Sequence, residues 1–225
     1  RTWLGDKGLA IDLAYTGELF SNVGQTLVAR NGAMDYLGHV DFQLTFDTSK
    51  LLWNGGKFFV LAQAQHGSGI NSRYVGATQT TTNLEADFTA MVTEFFYEQT
   101  LLDDRLLFRV GKQDHNRDFG SPRYGGNFIN DGYGALPLVP APTYPTTGLG
   151  AYAQFQAVSF ATIKAGVYEG QPIIGGFGFD NAFKAGGGLT TVAGAALKHS
   201  LGETKRNGGT TQVGGWFQRA NLADE

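Results

Sequence analysis

The sequence predicts an all-β fold, an antiparallel transmembrane β-barrel, from its composition, the alternation of apolar and polar residues, and the lengths of its connections. Its 225 residues include 33 glycines, while 13% are aromatic and only 16% are charged. This mix favours many strands joined by turns over amphipathic helices. A formal net charge of −3 argues against a nucleic-acid partner, which requires clustered Lys and Arg. The absence of cysteine excludes disulfides and thiolate metal sites.

No stretch of the sequence approaches the roughly 18 apolar residues that a transmembrane helix requires. The absence of such a stretch is compatible with a soluble protein. It is equally compatible with a membrane β-barrel, because a hydropathy window averages the alternating apolar and polar residues of a barrel strand.

Alternation along the chain identifies the strands. Within Tyr36–Asp47, apolar residues such as Phe42 and Leu44 alternate with polar ones, and Leu9–Leu19 repeats the pattern. The same test predicts seven further strands, so that about nine are expected. These lie at Phe58–Gln65, Phe88–Glu98, Leu106–Gln113, Leu149–Gln156, Phe160–Tyr168, Leu189–His199 and Thr210–Gln218.

Short and long connections alternate between these strands. The short ones lie near 48–57, 99–105, 157–159 and 200–209, and the long ones near 20–35, 66–87, 114–148 and 169–188. A membrane barrel has short periplasmic turns and longer extracellular loops, whereas a soluble sandwich has no reason for such asymmetry. The alternation therefore predicts an orientation in which the N-terminus is periplasmic.

The aromatic residues support this orientation. By strand direction, the periplasmic rim should carry five of them, and parity places all except Tyr97 clearly on the lipid face. They are Phe46, Phe58, Tyr97, Phe108 and Phe155, while Tyr36 and Phe217 should lie at the opposite rim. Aromatic girdles at both interfaces are typical of membrane barrels, and the aromatic residues of a soluble core would not be sorted by strand direction.

Five segments, in this order, resemble the carbohydrate-selective porin family, the OprB type. They are YLGHVDFQLTFDTSKL, TEFFYEQ, RVGKQDHNRDF, GGNFIN and the AGVYEG that begins at Ala165. The resemblance implies a sixteen-stranded barrel in the bacterial outer membrane that passes glucose and related small sugars. It also implies contact with membrane lipid and lipopolysaccharide, leaves a homo-oligomer possible, and requires no cofactor.

Members of that family are nearly twice as long as this chain. Nine strands alone would leave both sheet edges unpaired in lipid, where each unsatisfied backbone group costs several kcal/mol. We therefore expect residues 1–225 to form a single domain, the N-terminal portion of a barrel.

Strand parity predicts which side chains line the lumen along the path of a sugar. The candidates are Asp41, Gln43, Gln63, Glu94, Glu98, Arg109, Lys164, Tyr168 and Trp216. A simpler interpretation is that they only keep the lumen hydrated, as every porin requires. Arg109 and Glu94 stand out because both are charges near the middle of adjacent strands. A rival interpretation pairs them as a structural cross-strand salt bridge, and both interpretations could hold.

The connection 114–148 is too long to be an unstructured link in a compact protein. It contains five of the six prolines, which restrict its conformations, and many apolar residues that favour packing against the barrel wall. We expect it to fold inward and narrow the pore, bringing four polar residues near passing sugars. They are Asp118, Arg123, Asn127 and Asn130. The alternative is a lid on the outer rim or against a neighbouring subunit.

Asp114, Asn116 and Asp118 place oxygen ligands at alternate positions, as calcium loops do. However, glycine comes at position 120 and no Glu is found at 125, so the pattern departs from that of a calcium loop. An Asx-type turn that starts the long connection explains the spacing better, and no metal is expected.

The sequence offers no catalytic constellation. Its four histidines are scattered singly, and no GxSxG or HExxH motif occurs. We therefore expect a passive porin for small carbohydrates and not an enzyme. The alternative is a non-conducting barrel or a soluble β-sandwich that acts as a glycan-binding or structural module.

Overall fold

The structure is a computed structural model. It describes residues 3–24, 32–87, 89–120, 124–134, 139–170, 172, 188–201 and 207–219. Among these residues, nine strands form one antiparallel sheet in which every strand pairs with its neighbours in sequence. The strands are β1 (Leu9–Asn22), β2 (Ala33–Asp47), β3 (Gly56–Gly67), β4 (Ala90–Leu101), β5 (Leu106–Gln113), β6 (Gly148–Val158), β7 (Ala161–Glu169), β8 (Leu189–Leu201) and β9 (Asn207–Arg219). All nine predicted strands are confirmed.

The helices are short and lie in the connections. They are α1 (Trp3–Asp6), α2 (Asn116–Phe119) and α3 (Asp131–Gly134), with 3-10 turns at Thr48–Lys50 and Gly125–Asn127 and a π-helical turn at Asn71–Val75. None of the described helices has the length and apolar character needed to cross a bilayer. β1 and β9 form the two edges of the sheet, which is not closed within the described residues.

Long and short connections alternate as predicted. The long ones span 23–32, 68–89, 114–147 and 170–188, and the short ones 48–55, 102–105, 159–160 and 202–206. Because the strands are antiparallel and in sequence order, all long connections leave from one end of the sheet, the long-loop end, and the others from the short-turn end. The first long connection is shorter than predicted, because β1 and β2 stay paired as far as Asn22 and Ala33.

The two faces of the sheet differ in polarity. Phe42 pairs with Leu13 on β1 and Ala62 on β3, and this outer face is apolar and largely exposed. Asp41, one residue earlier, pairs with Gln63 on the opposite, inner face, which is polar. Since neighbouring residues of a strand point to opposite sides, the alternation in the sequence becomes a sheet with one apolar and one polar face.

Aromatic side chains mark the outer face at both ends of the strands. At the short-turn end, Phe58 lies between Phe46 and Tyr97, with ring centroids 6.4 and 4.8 Å away. Tyr97 is directly opposite Phe58, so it too is on the outer face, and its hydroxyl accepts a 2.9 Å hydrogen bond from Trp53 Nε1. At the long-loop end, the hydroxyls of Tyr15 and Tyr36 lie 2.5 Å apart. Such belts of rings with polar tips are typical of membrane-facing β-sheets.

Candidate functional site

The connection 114–147, which we call the inserted loop, contacts the inner face through residues among those that the structure describes, 114–120, 124–134 and 139–147. Its Thr147 hydroxyl donates to the Thr93 carbonyl on β4, and its Pro140 carbonyl accepts a 2.8 Å hydrogen bond from Thr190 on β8. The loop therefore contacts the wall from β4 to β8. The alternative allowed by the sequence was a lid on the outer rim or against a neighbouring subunit, and the contacts of the described loop residues favour the inner face over the rim.

A β-bulge in β4 contributes to this attachment. Leu61 pairs with Glu94 and Ala62 with Val92, which leaves Thr93 as an extra residue between two regular stretches. The Thr93 side chain donates to Leu61 O at 3.2 Å, and its carbonyl accepts from Thr147. Bulges disrupt the ladder locally and redirect backbone groups, and here the redirected carbonyl receives the loop.

Arg109 on β5 joins the wall to the inserted loop. Its Nε and Nη2 donate to Glu98 Oε2 at 2.9 and 2.7 Å, and its Nη1 donates to Asp118 Oδ2 at 2.5 Å. The guanidinium lies between the rings of Phe96 and Tyr152, 4.9 and 5.2 Å from their centroids. Arg109 is only 6% exposed, so these charge-assisted hydrogen bonds are shielded from water.

In a second ion pair, the loop supplies the arginine and the wall supplies the carboxylate. Arg117, on α2 of the inserted loop, donates to both carboxylate oxygens of Glu94 on the wall. Its guanidinium also lies over the rings of Phe59 and Phe96, 5.1 and 5.4 Å from their centroids. Thus one arginine comes from the wall and one from the loop, and each bonds a carboxylate of the other element.

The prediction of a cross-strand salt bridge between Glu94 and Arg109 is therefore wrong. The register places Glu98, not Glu94, opposite Arg109 on the neighbouring strand. Glu94 lies one residue before Phe95, the first residue of β4 that pairs with β5, and there the loop supplies Arg117 as its partner. Sequence alone could not show this, because the pairing depends on the register of β4 against β5.

Amide and imidazole groups line the inner face near β2 and β3. His39, which is fully buried, contacts Asp41 Oδ1 at 3.1 Å, and Gln63 donates to the same oxygen at 2.7 Å. Gln65 bonds His39 Nδ1 at 3.0 Å and the Tyr144 hydroxyl of the inserted loop at 2.8 Å. Burial raises the pKa of Tyr144, and the charge of Asp41 adds to the effect, so this hydroxyl keeps its proton and donates to Leu84 O.

Tyr168 lies flat against the wall beneath the inserted loop. A side chain at Gly166 would bring its Cβ within 2.6 Å of the Tyr168 hydroxyl oxygen, so glycine is required there. His115 of the loop packs its ring edge-to-face on Tyr168, with centroids 6.2 Å apart. Tyr168 is 1% exposed as a result.

Lys164 and Trp216 border a cavity of about 220 Å³ on β7 to β9, which Val192 and Phe119 also line. Lys164 Nζ donates to the backbone carbonyl of Asp118 at 2.8 Å, so it is a second wall cation that holds this residue. Trp216 is 49% exposed and presents an aromatic surface on the inner face.

All nine predicted lumen residues lie on the inner face, and they fall into two groups. Glu94, Glu98, Arg109 and Tyr168 are covered by the inserted loop, whereas Asp41, Gln43, Gln63, Lys164 and Trp216 are partly or largely exposed. Parity identifies a face, but it does not show what covers that face. That a sugar contacts any of these nine side chains stays a prediction, and burial makes direct contact harder for the covered four.

The four predicted loop residues have different surroundings. Asp118 is held by Arg109 and Lys164, while Asn127 is exposed. The Asn130 amide donates to Thr80 O at 2.8 Å and accepts from Gly132 N at 3.0 Å, so it holds two loops together. Arg123 lies outside the described residues.

The apolar side chains of the loop are only partly packed. Phe119 contacts Tyr152 edge-to-face at 5.7 Å, as expected for a loop folded onto the wall. By contrast, four apolar residues of the loop are each more than half exposed. They are Tyr124, Phe128, Ile129 and Tyr133. Within this chain, polar contacts account for most of the attachment of the loop that the structure describes.

The calcium candidates form an Asx turn. Asp114 Oδ1 accepts a 2.8 Å hydrogen bond from Asn116 N, and its Oδ2 accepts from Tyr144 N at 3.2 Å. Asp118 points to Arg109 instead. Within the part of the chain that the structure describes, no group of three or more acidic or histidine side chains is suited to hold a metal.

Sequence reasoning missed Arg117, Phe59 and Phe96 as members of the site. Arg117 follows the end of β5, where strand parity stops, so no periodicity assigns it a partner. The two phenylalanines were detectable, because the adjacent rings Phe58-Phe59 and Phe95-Phe96 must point to opposite faces of their strands.

A continuous antiparallel sheet, apolar outside and polar inside, with a long loop packed on the polar face, defines the wall of a transmembrane β-barrel channel. The model of the family "Carbohydrate-selective porin, OprB family" matches residues 31–225. The chain belongs to this family.

Solved structures share the fold. The chain is similar to the high pH structure of Pseudomonas putida OprB, with a TM-score of 0.82 and 17% identity over 96% of this chain and 54% of that chain. It is also similar to the low pH structure of Pseudomonas putida OprB, with a TM-score of 0.59, 14% identity, and coverage of 96% and 56%. The chain thus spans about half the length of these structures. No match was found among curated proteins.

Proposed function

We propose that the protein forms an outer-membrane channel through which small carbohydrates such as glucose diffuse passively. The observation that carries this proposal is the inserted loop, which Arg109 and Arg117 fix against the polar inner face. A fixed loop inside a barrel narrows the pore without closing it. Family membership supports carbohydrate as the solute class.

The inner face has the chemistry that sugar passage requires. A sugar entering a narrow pore must exchange water for other hydrogen-bonding partners, and these must release it again. Asp41, Gln43, Gln63 and Lys164 offer acceptors and donors, and Trp216 offers a ring against which the C–H face of a pyranose can stack. The four covered residues would act indirectly, since they position the loop that sets the pore width.

The outer face would contact outer-membrane lipid and, at the long-loop end, lipopolysaccharide. Residues such as Leu13 and Phe42 are exposed there, as lipid contact requires. A homo-oligomer, in which neighbouring copies cover part of this surface, is compatible with the proposal.

One alternative, a soluble β-sandwich, is wrong, because a sandwich needs two packed sheets and the nine described strands form one. A non-conducting barrel that binds glycans remains the competing function. We do not propose an enzyme, since the family and the fold point to a transport channel.

Liposome swelling distinguishes the two functions. Vesicles containing the full-length protein should swell in iso-osmotic glucose and should swell more slowly in a large oligosaccharide. Vesicles with heat-denatured protein serve as the control. A folded barrel that gives no swelling in glucose would favour the non-conducting alternative.

A further inference from the structure

A polar cavity of about 890 Å³ opens at the long-loop end, between the ends of β2 and β3 and the connection 68–89, which we call the second loop. Its size falls within the range of small-molecule sites. Hydrogen-bonding side chains dominate its lining, among them Gln65, Ser68, Ser72, Arg73, Glu85 and Asp87. This cavity is distinct from the covered ion pairs described above.

The cavity wall is held in one shape by its own hydrogen bonds. The Glu85 carboxylate accepts from the backbone N–H of Asn71 at 3.1 Å and of Ser72 at 3.2 Å, at the start of the π-helical turn. Gly69 has a φ of +66°, and a Cβ there would lie 2.4 Å from the Glu85 carboxyl carbon. Glycine is therefore needed both for its conformation and for the close approach of the carboxylate.

The second loop is also fixed to the inserted loop. Asn83 N donates to Ile129 O at 2.8 Å, and Asn130 Nδ2 donates to Thr80 O at 2.8 Å. A cavity whose walls are already ordered loses little conformational entropy when a ligand binds. The ordered walls therefore lower the entropic cost of binding a ligand in the cavity.

The lining selects the class of ligand. Arg73 supplies donors, Asp87 supplies acceptors, and serine hydroxyls supply both. Opposite charges on the same wall disfavour an ion of either sign, and the scarcity of apolar side chains disfavours an apolar ligand. A neutral molecule with many hydroxyls can satisfy donors and acceptors together.

The cavity also adjoins the inner face. Gln65 lines the cavity and bonds both His39 and Tyr144, which belong to the polar inner face and the inserted loop. A ligand that leaves the cavity inward would reach the side chains proposed to carry sugar.

We propose that this cavity is an entry site that binds a neutral mono- or disaccharide before it passes the inserted loop. The inference rests on the proposed function and adds a binding step to it. When little sugar is outside the cell, binding in the cavity raises the sugar concentration next to the inserted loop. When sugar saturates the channel, this binding step does not limit the rate of transport.

The test uses the full-length protein in proteoliposomes, with the Arg73→Met/Asp87→Asn double variant. Both residues are exposed and line the cavity, so the barrel should still fold, which heat-modifiable migration checks. Loss of a hydrogen bond to a charged group should raise the half-saturating glucose concentration about tenfold, with an unchanged maximal rate. The matched control is Asp103→Asn, an exposed aspartate in the turn at the other end of the sheet, which should leave both values unchanged.

A second measurement separates this inference from the proposed function. Saturation-transfer NMR on the detergent-solubilised protein detects bound glucose and maltose whether or not the barrel conducts. A signal that falls in the double variant and is kept in Asp103→Asn supports the entry site even if the parent transports no glucose, and the signal that remains is from sugar contacting the inner face. A signal and a half-saturating concentration that both match the parent in the double variant would overturn it.

Discussion

Replacing Arg109 by methionine should release the inserted loop from the wall. The substitution keeps an apolar chain between the rings of Phe96 and Tyr152 but removes the partner of Asp118, which is buried at the loop–wall contact. Breaking a buried ion pair costs about 3 to 5 kcal/mol, because the remaining charge loses its compensation. Glu98 is less affected, since Lys57 still contacts it at 2.6 Å.

The extent to which Arg109→Met opens the inserted loop can be measured by hydrogen–deuterium exchange of the amides in α2. A cost of about 3 kcal/mol or more corresponds to an increase of at least about a hundredfold in the population of the open loop. Exchange in the middle of β2 reports on the barrel itself and should stay unchanged. Arg105→Met is the matched control, because Arg105 is exposed in a turn at the short-turn end, where its side chain donates to the carbonyls of Gln156 and Ala157 and lies over the Phe155 ring.

The double variant Arg109→Met/Asp118→Asn tests whether the loop opens because the Asp118 carboxylate loses its partner. Neutralising Asp118 as well removes the uncompensated carboxylate, so the loop should open less than in the single variant. If exchange in α2 of Arg109→Met stays within a few-fold of the parent, the ion pair does not hold the loop. If the double variant opens as much as the single one, the cost does not come from a stranded charge.

Three further predictions concern the pore and the membrane. Glu94→Ala should make the channel more anion-selective, because Arg117 loses its partner; an unchanged reversal potential in a KCl gradient would contradict this. Replacing 121–146 by a short Gly/Ser linker should increase conductance and weaken discrimination between glucose and larger saccharides, whereas the parent's conductance and sieving would place the loop outside the pore. Phe42→Lys should destabilise the refolded barrel by about 2 to 4 kcal/mol in urea titrations, whereas Gln43→Lys, on the inner face, should change it by about 0.5 kcal/mol or less. Equal effects of these two lysines would refute the assignment of the faces.

The strands were predictable because their physics is local. Tyr36 to Asp47 alternate residue by residue, and a strand that buries one face in lipid and wets the other imposes this pattern on its own sequence. Connection lengths were predictable for a related reason, since they follow directly once the strands are placed. Even β8, whose Val192 interrupts the alternation, was found, because its neighbours supply the spacing.

The contacts of the inserted loop were not predictable, because they depend on where the loop lies in space and not on any periodic pattern in the sequence. The bulge at Thr93 shifts the parity of the first residues of β4, which no alternation count reveals. Arg117 lies in a single turn of helix, too short to show an amphipathic period. Its pairing with Glu94 follows only after the loop has been placed on the wall.

The arrangement of the two ion pairs explains why the loop occupies one position. Buried ion pairs contribute little net stability, because desolvation offsets most of the attraction, but breaking one is costly. Arg109 extends from the wall to Asp118 on the loop, and Arg117 extends from the loop to Glu94 on the wall. A shift of the loop along the wall would lengthen both pairs and leave the buried Arg109, Asp118 and Glu94 without their partners, although Arg117 itself is 36% exposed. Because the wall supplies one arginine and the loop supplies the other, the two ion pairs attach the loop to the wall at two separate points, one on β5 and one on β4.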